Sequence, residues 1–253
     1  MGLAHGGDRV SGRPRFHVPE AAPGARVDLP DHTAHHAREV LRLRAGAVVR
    51  VFDGQGQEFE ATLEEVSRKR VLARLTGAVA PRPESPLRIV LALPPLKGDR
   101  MELAIQKATE LGVAAIWPVV TARTDAVGRP ALHGSRQDRW EKVASGAAEQ
   151  CGRALVPAVE ATVTLDGLLA RPFEGARLAL IEDGAGAPPR EWPRAASILC
   201  LIGPAGGWEP TEVERLTRAG FTAARLGPRI LRAETAAVAA VTTLQVLCGD
   251  LGD

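Results

Sequence analysis

Two short apolar stretches in the C-terminal quarter constrain this chain most. Each closes on a Gly-Pro loop and leads into a helix-forming run. Ile198 to Ile202 is short enough for a buried strand and ends in glycine. Gly203-Pro204-Ala205-Gly206-Gly207 follows, a turn in which three glycines relax the backbone. Pro210 stands where a first helical position is expected, with Glu212 and Glu214 in the opening turn, and Gly220 marks the helix end. Thr222 to Leu226 reads as a second strand, broken by Gly227-Pro228. Arg229 to Arg232 then forms a loop, and a last helix runs from about Glu234 to Leu247. Ligands of α/β sheets sit beyond the C-terminal ends of the strands. Two adjacent loops of this kind can hold a nucleotide-like ligand through backbone groups, or they can be ordinary strand-to-helix turns. Neither a full GxGxxG after a strand nor a GxxxxGK[ST] run occurs; Gly184-Ala185-Gly186 is only a fragment.

The rest of the chain falls on either side of a proline-rich linker, Ala80 to Pro86. Before it, Asp31 to Leu43 is predicted as a short helix capped by Asp31, with Arg38 and Arg42 four apart on one face. Such a face is either solvated or set against phosphates. Val48 to Phe52, Glu58 to Val66 and Arg70 to Leu75 read as strands, the first two joined through the turn-forming Asp53-Gly54. After the linker, strands and helices alternate, which signals a parallel sheet. The predicted strands are Leu87 to Leu93, Ala114 to Val120 and Arg177 to Ile181, the last leading to Glu182-Asp183-Gly184. The predicted helices are Gly98 to Leu111, with Met101, Ile105, Ala108 and Leu111 on one side, and Gln137 to Cys151. Met1 to Gly12 is glycine-rich and expected to fray.

Composition limits the chemistry. The formal charge of +2 does not announce nucleic-acid binding. Residues 1–80 hold 12 of the 32 Lys/Arg and 10 of the 30 Asp/Glu, so the whole excess lies there. Three cysteines, Cys151, Cys200 and Cys248, are far apart in apolar surroundings, which argues for a reducing compartment and against a disulfide framework or zinc site. With no signal-like segment and no apolar run near twenty residues, a cytoplasmic protein is expected. The adjacent His35 and His36 point in different directions on a helix, and His133 lies in a polar loop-like stretch, so neither a metal site nor a Ser-His-Asp arrangement is expected. Arg229 and Arg232 can grip a phosphate or a base carbonyl through their planar forks, or pair with Glu234 at a helix start; both readings stand. Ala236, Ala237, Ala239 and Ala240 suit a close-packed helix, either within the monomer or at a dimer seam.

Three motifs taken together carry a family resemblance. Ile202-Gly203-Pro204-Ala205-Gly206-Gly207, Leu226-Gly227-Pro228-Arg229-Ile230-Leu231-Arg232 and Glu234-Thr235-Ala236 resemble the ribosomal RNA uridine-N3 methyltransferases of the SPOUT class. The LGPRILR heptad matches that family without change. Ala205 replaces the family's usual glutamate, and Ala233 replaces the usual threonine before Glu234. KGDRMELAIQKATELGV and RWEKVASGAAEQCGR extend the likeness, and HHAREVLRLRAGAVVRVFDGQG resembles the family's N-terminal PUA-like barrel.

The resemblance implies an α/β fold. Residues 1–80 would form an RNA-binding PUA-like β-barrel, and residues 81–253 a SPOUT methyltransferase domain with a trefoil knot. It implies S-adenosylmethionine as cofactor, held by Ile181, Glu182, Leu201, Ile202, Gly203, Gly206, Gly207, Leu226, Gly227, Ile230 and Leu231. Arg232 and Glu234 would carry catalysis, and Arg15, Arg38, Arg42, Arg123 and Arg153 would contact RNA. The implied substrate is one uridine of 16S ribosomal RNA or the 30S subunit, modified at N3 by a homodimer without metal or membrane. Ala205 motivates one rival, a catalytically impaired RNA-binding or assembly factor of the same fold. A nucleotide-binding oxidoreductase is disfavoured by the missing GxGxxG fingerprint.

Overall fold

The computed structural model describes residues 13–124, 136–182 and 186–252. Met1 to Gly12, His133, Asp183 and Gly184 lie outside the described residues. The chain divides into two units, Met1–Arg82 and Pro83–Asp253.

The first unit carries β1 (Arg15–His17), β2 (Arg26–Asp28), helix α1 (Asp31–His35), β3 (Val48–Phe52), β4 (Glu58–Val66) and β5 (Val71–Val79). Its sheet runs β1-β3-β4-β5-β2, with β1 parallel to β3 and the other pairs antiparallel. Alternation along β3 to β5 turns Val49, Val51, Phe59, Ala61, Leu63, Ala73 and Leu75 into one core, completed by Phe16 and by Ala34 and Ala37 of the helical segment. Register shifts in the β4–β5 pair bend the ribbon. Between β3 and β4, buried Asp53 organises the turn: its Oδ1 accepts from the amides of Gln55 (2.7 Å) and Gln57 (2.9 Å).

The helix expected over residues 31–43 differs in three ways. Its cap is Pro30, with Asp31 inside the first turn. After His35 it widens into a π turn, His36–Val40, and stops. Arg42 lies beyond the end with φ 52°, a left-handed conformation, so it does not share a helical face with Arg38. The short strands β1 and β2 were too brief to leave a periodic signal.

The second unit starts with β6 (Arg88–Leu93), α2 (Arg100–Glu110), β7 (Ala115–Val120) and α3 (Gln137–Cys151). It continues with β8 (Ala158–Val159), β9 (Val163–Thr164), α4 (Leu165–Ala170) and β10 (Ala176–Leu180). It closes with β11 (Ser197–Leu201), α5 (Pro210–Arg218), β12 (Phe221–Ala224) and α6 (Ala233–Cys248). All its strand pairs are parallel, in the order β12-β10-β11-β6-β7-β8, with β9 also on β7. Side chains alternate across this sheet. Ile89, Leu91, Leu93 and Cys200 pack against α2, α3 and α6 through Met101, Ile105, Trp140, Ala240 and Leu244. Val90, Ala92, Leu199 and Leu201 face the other way, toward Leu168 of α4 and Leu216 of α5. A sheet covered on both faces explains why its strands read as continuous apolar runs.

Two buried polar groups brace this unit. Gln245, fully buried in α6, donates to the Leu111 carbonyl (2.7 Å) and accepts from the Ser85 hydroxyl (2.7 Å). Arg153 donates to the carbonyls of Thr109 (2.9 Å) and Val113 (3.0 Å) and pairs with Glu84 at 2.6 Å. Among the described residues no helix is long and apolar enough to cross a membrane.

Candidate active site

Sheet order positions the site. The chain lays β6, β7, β8 and β9 outward in one direction, then returns to place β10, β11 and β12 on the opposite side of β6. At such a reversal the loops beyond the strand ends diverge and leave a crevice. A cavity of about 230 Å³ opens there. Ile181 and Glu182 reach it from the end of β10, and Ile202 and Gly203 from the end of β11. The loop after β12 contributes Leu226, Gly227, Ile230, Leu231 and Arg232, and Glu234 projects from the first turn of α6.

The glycine loop is shaped by what packs on it. A side chain at Gly203 would put its Cβ 2.7 Å from Nε1 of Trp208. That indole is fixed in turn by donating to the Leu180 carbonyl at 2.8 Å. Gly207 has φ 73°, which favours glycine, and its vacant Cβ position lies 3.3 Å from Oε2 of Glu182. Gly206 and Gly207 therefore support the wall from behind and are not part of its lining. Leu201 is not on the lining either: strand alternation turns its side chain toward α4 and α5.

The cavity has an apolar floor of Leu180, Ile202, Leu226 and Leu231, with charged groups around it. Arg232 is the N-cap residue of α6 and is exposed, and Glu234 is buried at that helix's positive end. The helix-start ion pair between them is not formed, and Arg232 has no ion pair among the described residues. Leu96 and Arg100, which precede and open α2, also line the cavity. The KGDR stretch that Arg100 closes was visible in the sequence, but nothing in it indicated that β6 ends beside β11. Ile230 is 78% exposed, unusual for isoleucine.

The five arginines expected at RNA separate. Arg153 is buried in the bracing network above, and that satisfied position withdraws it from any RNA surface. Arg15 is similarly enclosed, its guanidinium on Glu58 (3.1 Å) and 4.6 Å from the centre of the Phe52 ring. Arg38 is partly committed, donating to Glu39 (2.8 Å) and the Ser67 carbonyl (3.1 Å). Arg42 is exposed. Arg123 has a half-exposed side chain that donates to the Gly206 carbonyl at 3.2 Å. Among the described residues no group of three or more His, Cys, Asp or Glu could hold a metal ion.

The chain matches known proteins along almost its whole length. A family model described as an RNA methyltransferase domain matches residues 83–245, and one described as an RNA methyltransferase PUA domain matches residues 29–76. The Ribosomal RNA small subunit methyltransferase E of Bacillus subtilis is 33% identical over 91% of this chain and 94% of its own length. The protein of that name from Mycobacterium bovis is 35% identical, over 91% of this chain and 89% of its own. Among solved structures, a Ribosomal RNA small subunit methyltransferase E from Neisseria gonorrhoeae bound to S-adenosylmethionine aligns with a TM-score of 0.86 and 36% identity. It covers 94% of this chain and 99% of the other. A Legionella pneumophila protein, Lpg2936, in complex with S-adenosylmethionine aligns with a TM-score of 0.87 and 35% identity, over the same shares of each chain. The first unit is thus a PUA-like domain and the second an RNA methyltransferase fold, and the chain belongs to the ribosomal RNA small subunit methyltransferase E family.

Proposed function

We propose that this protein methylates N3 of one uridine in 16S ribosomal RNA, with S-adenosylmethionine as donor. The convergence of three strand ends and the LGPRILR loop on one cavity carries the reading. The cavity suits the cofactor: the apolar floor can take an adenine ring, Glu182 can accept from hydroxyl groups, and loop amides and carbonyls border both. When bound, S-adenosylmethionine supplies an electrophilic methyl group, so the protein's part is position and electrostatics.

Each chain residue then has a definite task. Ile181, Glu182, Ile202, Gly203, Leu226, Gly227, Ile230 and Leu231 hold the cofactor, with Gly206 and Gly207 shaping the loop behind them. Arg232, exposed at the rim, donates to a uracil carbonyl oxygen as N3 loses its proton and stabilises the charge that develops there. Glu234, buried in the first turn of α6 beside the cavity, accepts the N3 proton. The uridine leaves its stack to reach the cavity. Arg42, Arg38 and Arg123 are the RNA contacts that the geometry leaves available.

Two features of the family belong to the same proposal. The C-terminal part of the second unit threads as a trefoil knot, a reading that the motif likeness to the SPOUT methyltransferases supports. The protein acts as a homodimer, which the exposed Leu103, Ile230 and Val246 on the second unit support. Incubating the protein and labelled cofactor with small subunits from a modification-deficient strain tests the whole reading. Label at N3 of a single uridine is expected, and no transfer to RNA rejects it.

A further inference from the structure

Glu212 is 5% exposed, in the first turn of α5. A buried carboxylate is costly unless hydrogen-bonded. As a helix cap it needs only one oxygen: Oε2 accepts from the Glu209 amide at 3.1 Å, completing a capping box. The other oxygen does something else. Oε1 accepts from the amide of Ala122 at 2.9 Å, ninety positions away in the sequence.

Ala122 lies in the turn after β7, and that turn is braced by its own hydrogen bonds. Thr121 and Thr124 are buried; the Thr121 amide donates to the Thr124 hydroxyl at 2.8 Å, and the Thr124 amide to the Thr121 carbonyl at 3.2 Å. Holding Ala122 therefore holds the whole turn, including Arg123. Arg123 in turn reaches the glycine loop. Its Nη1 donates to the Gly206 carbonyl, its Nε lies 3.8 Å from Glu209, and a Cβ at Gly206 would sit 3.1 Å from its own Cβ. Gly207 then abuts Glu182 on the cavity wall. Contacts run unbroken from Glu212 to the wall.

We propose that Glu212 is a positioning residue. Its carboxylate ties the 121–124 turn to the 203–209 loop and so sets the shape of the cavity wall formed by Gly203 and Glu182. The effect on methyl transfer rests on the cavity's being the cofactor site. The tie itself does not.

Glu212→Gln keeps the volume but offers one oxygen to two amide donors, leaving a donor facing a donor. In ligand-free protein, amide hydrogen exchange should speed up at both 121–124 and 203–207. The dissociation constant for S-adenosylmethionine should rise about tenfold, with the kinetic loss in the cofactor KM more than in kcat. Arg123→Ala should weaken binding less, and the double variant should bind about as weakly as Glu212→Gln alone, because both act through one turn. Faster exchange confined to residues 209–212, or additive losses, would overturn the proposal. If Glu212→Gln does not fold, Arg123→Ala decides, and unchanged exchange at 203–207 in that variant counts against it. Wild-type protein that binds no S-adenosylmethionine removes the methyltransferase reading, while the exchange pattern still decides the tie.

Discussion

Arg232 shows what a residue can disclose at each stage. In sequence it was an arginine between a strand and a helix, equally suited to a salt bridge or a ligand. The structure leaves it at the cavity rim without an ion pair among the described residues. An interaction that strengthens only in the transition state affects turnover more than binding. Arg232→Ala should lower the single-turnover rate about a hundredfold or more, with cofactor affinity within a few-fold of wild type. Arg232→Lys should recover only part of the rate, because an ammonium lacks the fork. Single-turnover methylation with parallel calorimetry checks both. His17 makes a different kind of prediction. Burial lowers its pKa from the ordinary 6.5, partly offset by a hydrogen bond with the Asp53 backbone, and its ring stacks on Phe52. The unfolded chain therefore binds this proton more readily than the folded one. The associated stability is present above pH 6.5 and is lost as pH falls from 6.5 through the folded pKa. Urea midpoints for wild type and His17→Gln at pH 7.5 and 5.5 should show a smaller acid loss in the variant.

Elements were legible wherever periodicity ran long enough. α3 spans the predicted Gln137–Cys151, and α5 begins on Pro210 as its position implied. β1, β2, β8 and β9 were missed because two or three residues define no period. The alanine-rich α6 admitted two readings, a core helix or a dimer seam. Ala240 settles its own case: it is fully buried against the second unit's core. Ala240→Arg should therefore unfold the domain, at a cost above about 3 kcal/mol, and not merely separate subunits. Val246, 51% exposed on the same helix, is the position to test for a seam. Wild type should have a solution mass near twice 26.8 kDa, and Val246→Asp should lower it with the thermal midpoint nearly unchanged. Light scattering and a melting curve measure both.

At the scale of the molecule, net charge said little about RNA, because a formal excess of only +2, all of it within residues 1–80, is too small to mark a nucleic-acid surface. What counts is which arginines are uncommitted, and burial decides that. Arg42 is exposed, whereas Arg15 and Arg153 spend their donors internally. Arg42→Ala should weaken RNA binding and reduce the slope of log affinity against log salt by about one, while Arg15→Ala should act chiefly through stability. Filter binding across a salt series distinguishes them.

Local chemistry alone determined the strand–loop–helix rhythm after the linker, the glycine and proline positions of the loops, and the family to which LGPRILR belongs. Each of these depends on residues close together in the chain, where sterics and hydrogen-bonding rules act directly. Other features were decided only by tertiary structure. Leu201 faces away from the cavity while Ile202 lines it, Arg100 joins the site from the start of α2, and Glu212 bonds to Ala122. These depend on which strands become neighbours. Sheet order follows from burying both faces of one sheet at once, an energy summed over the whole core that no single segment of sequence carries.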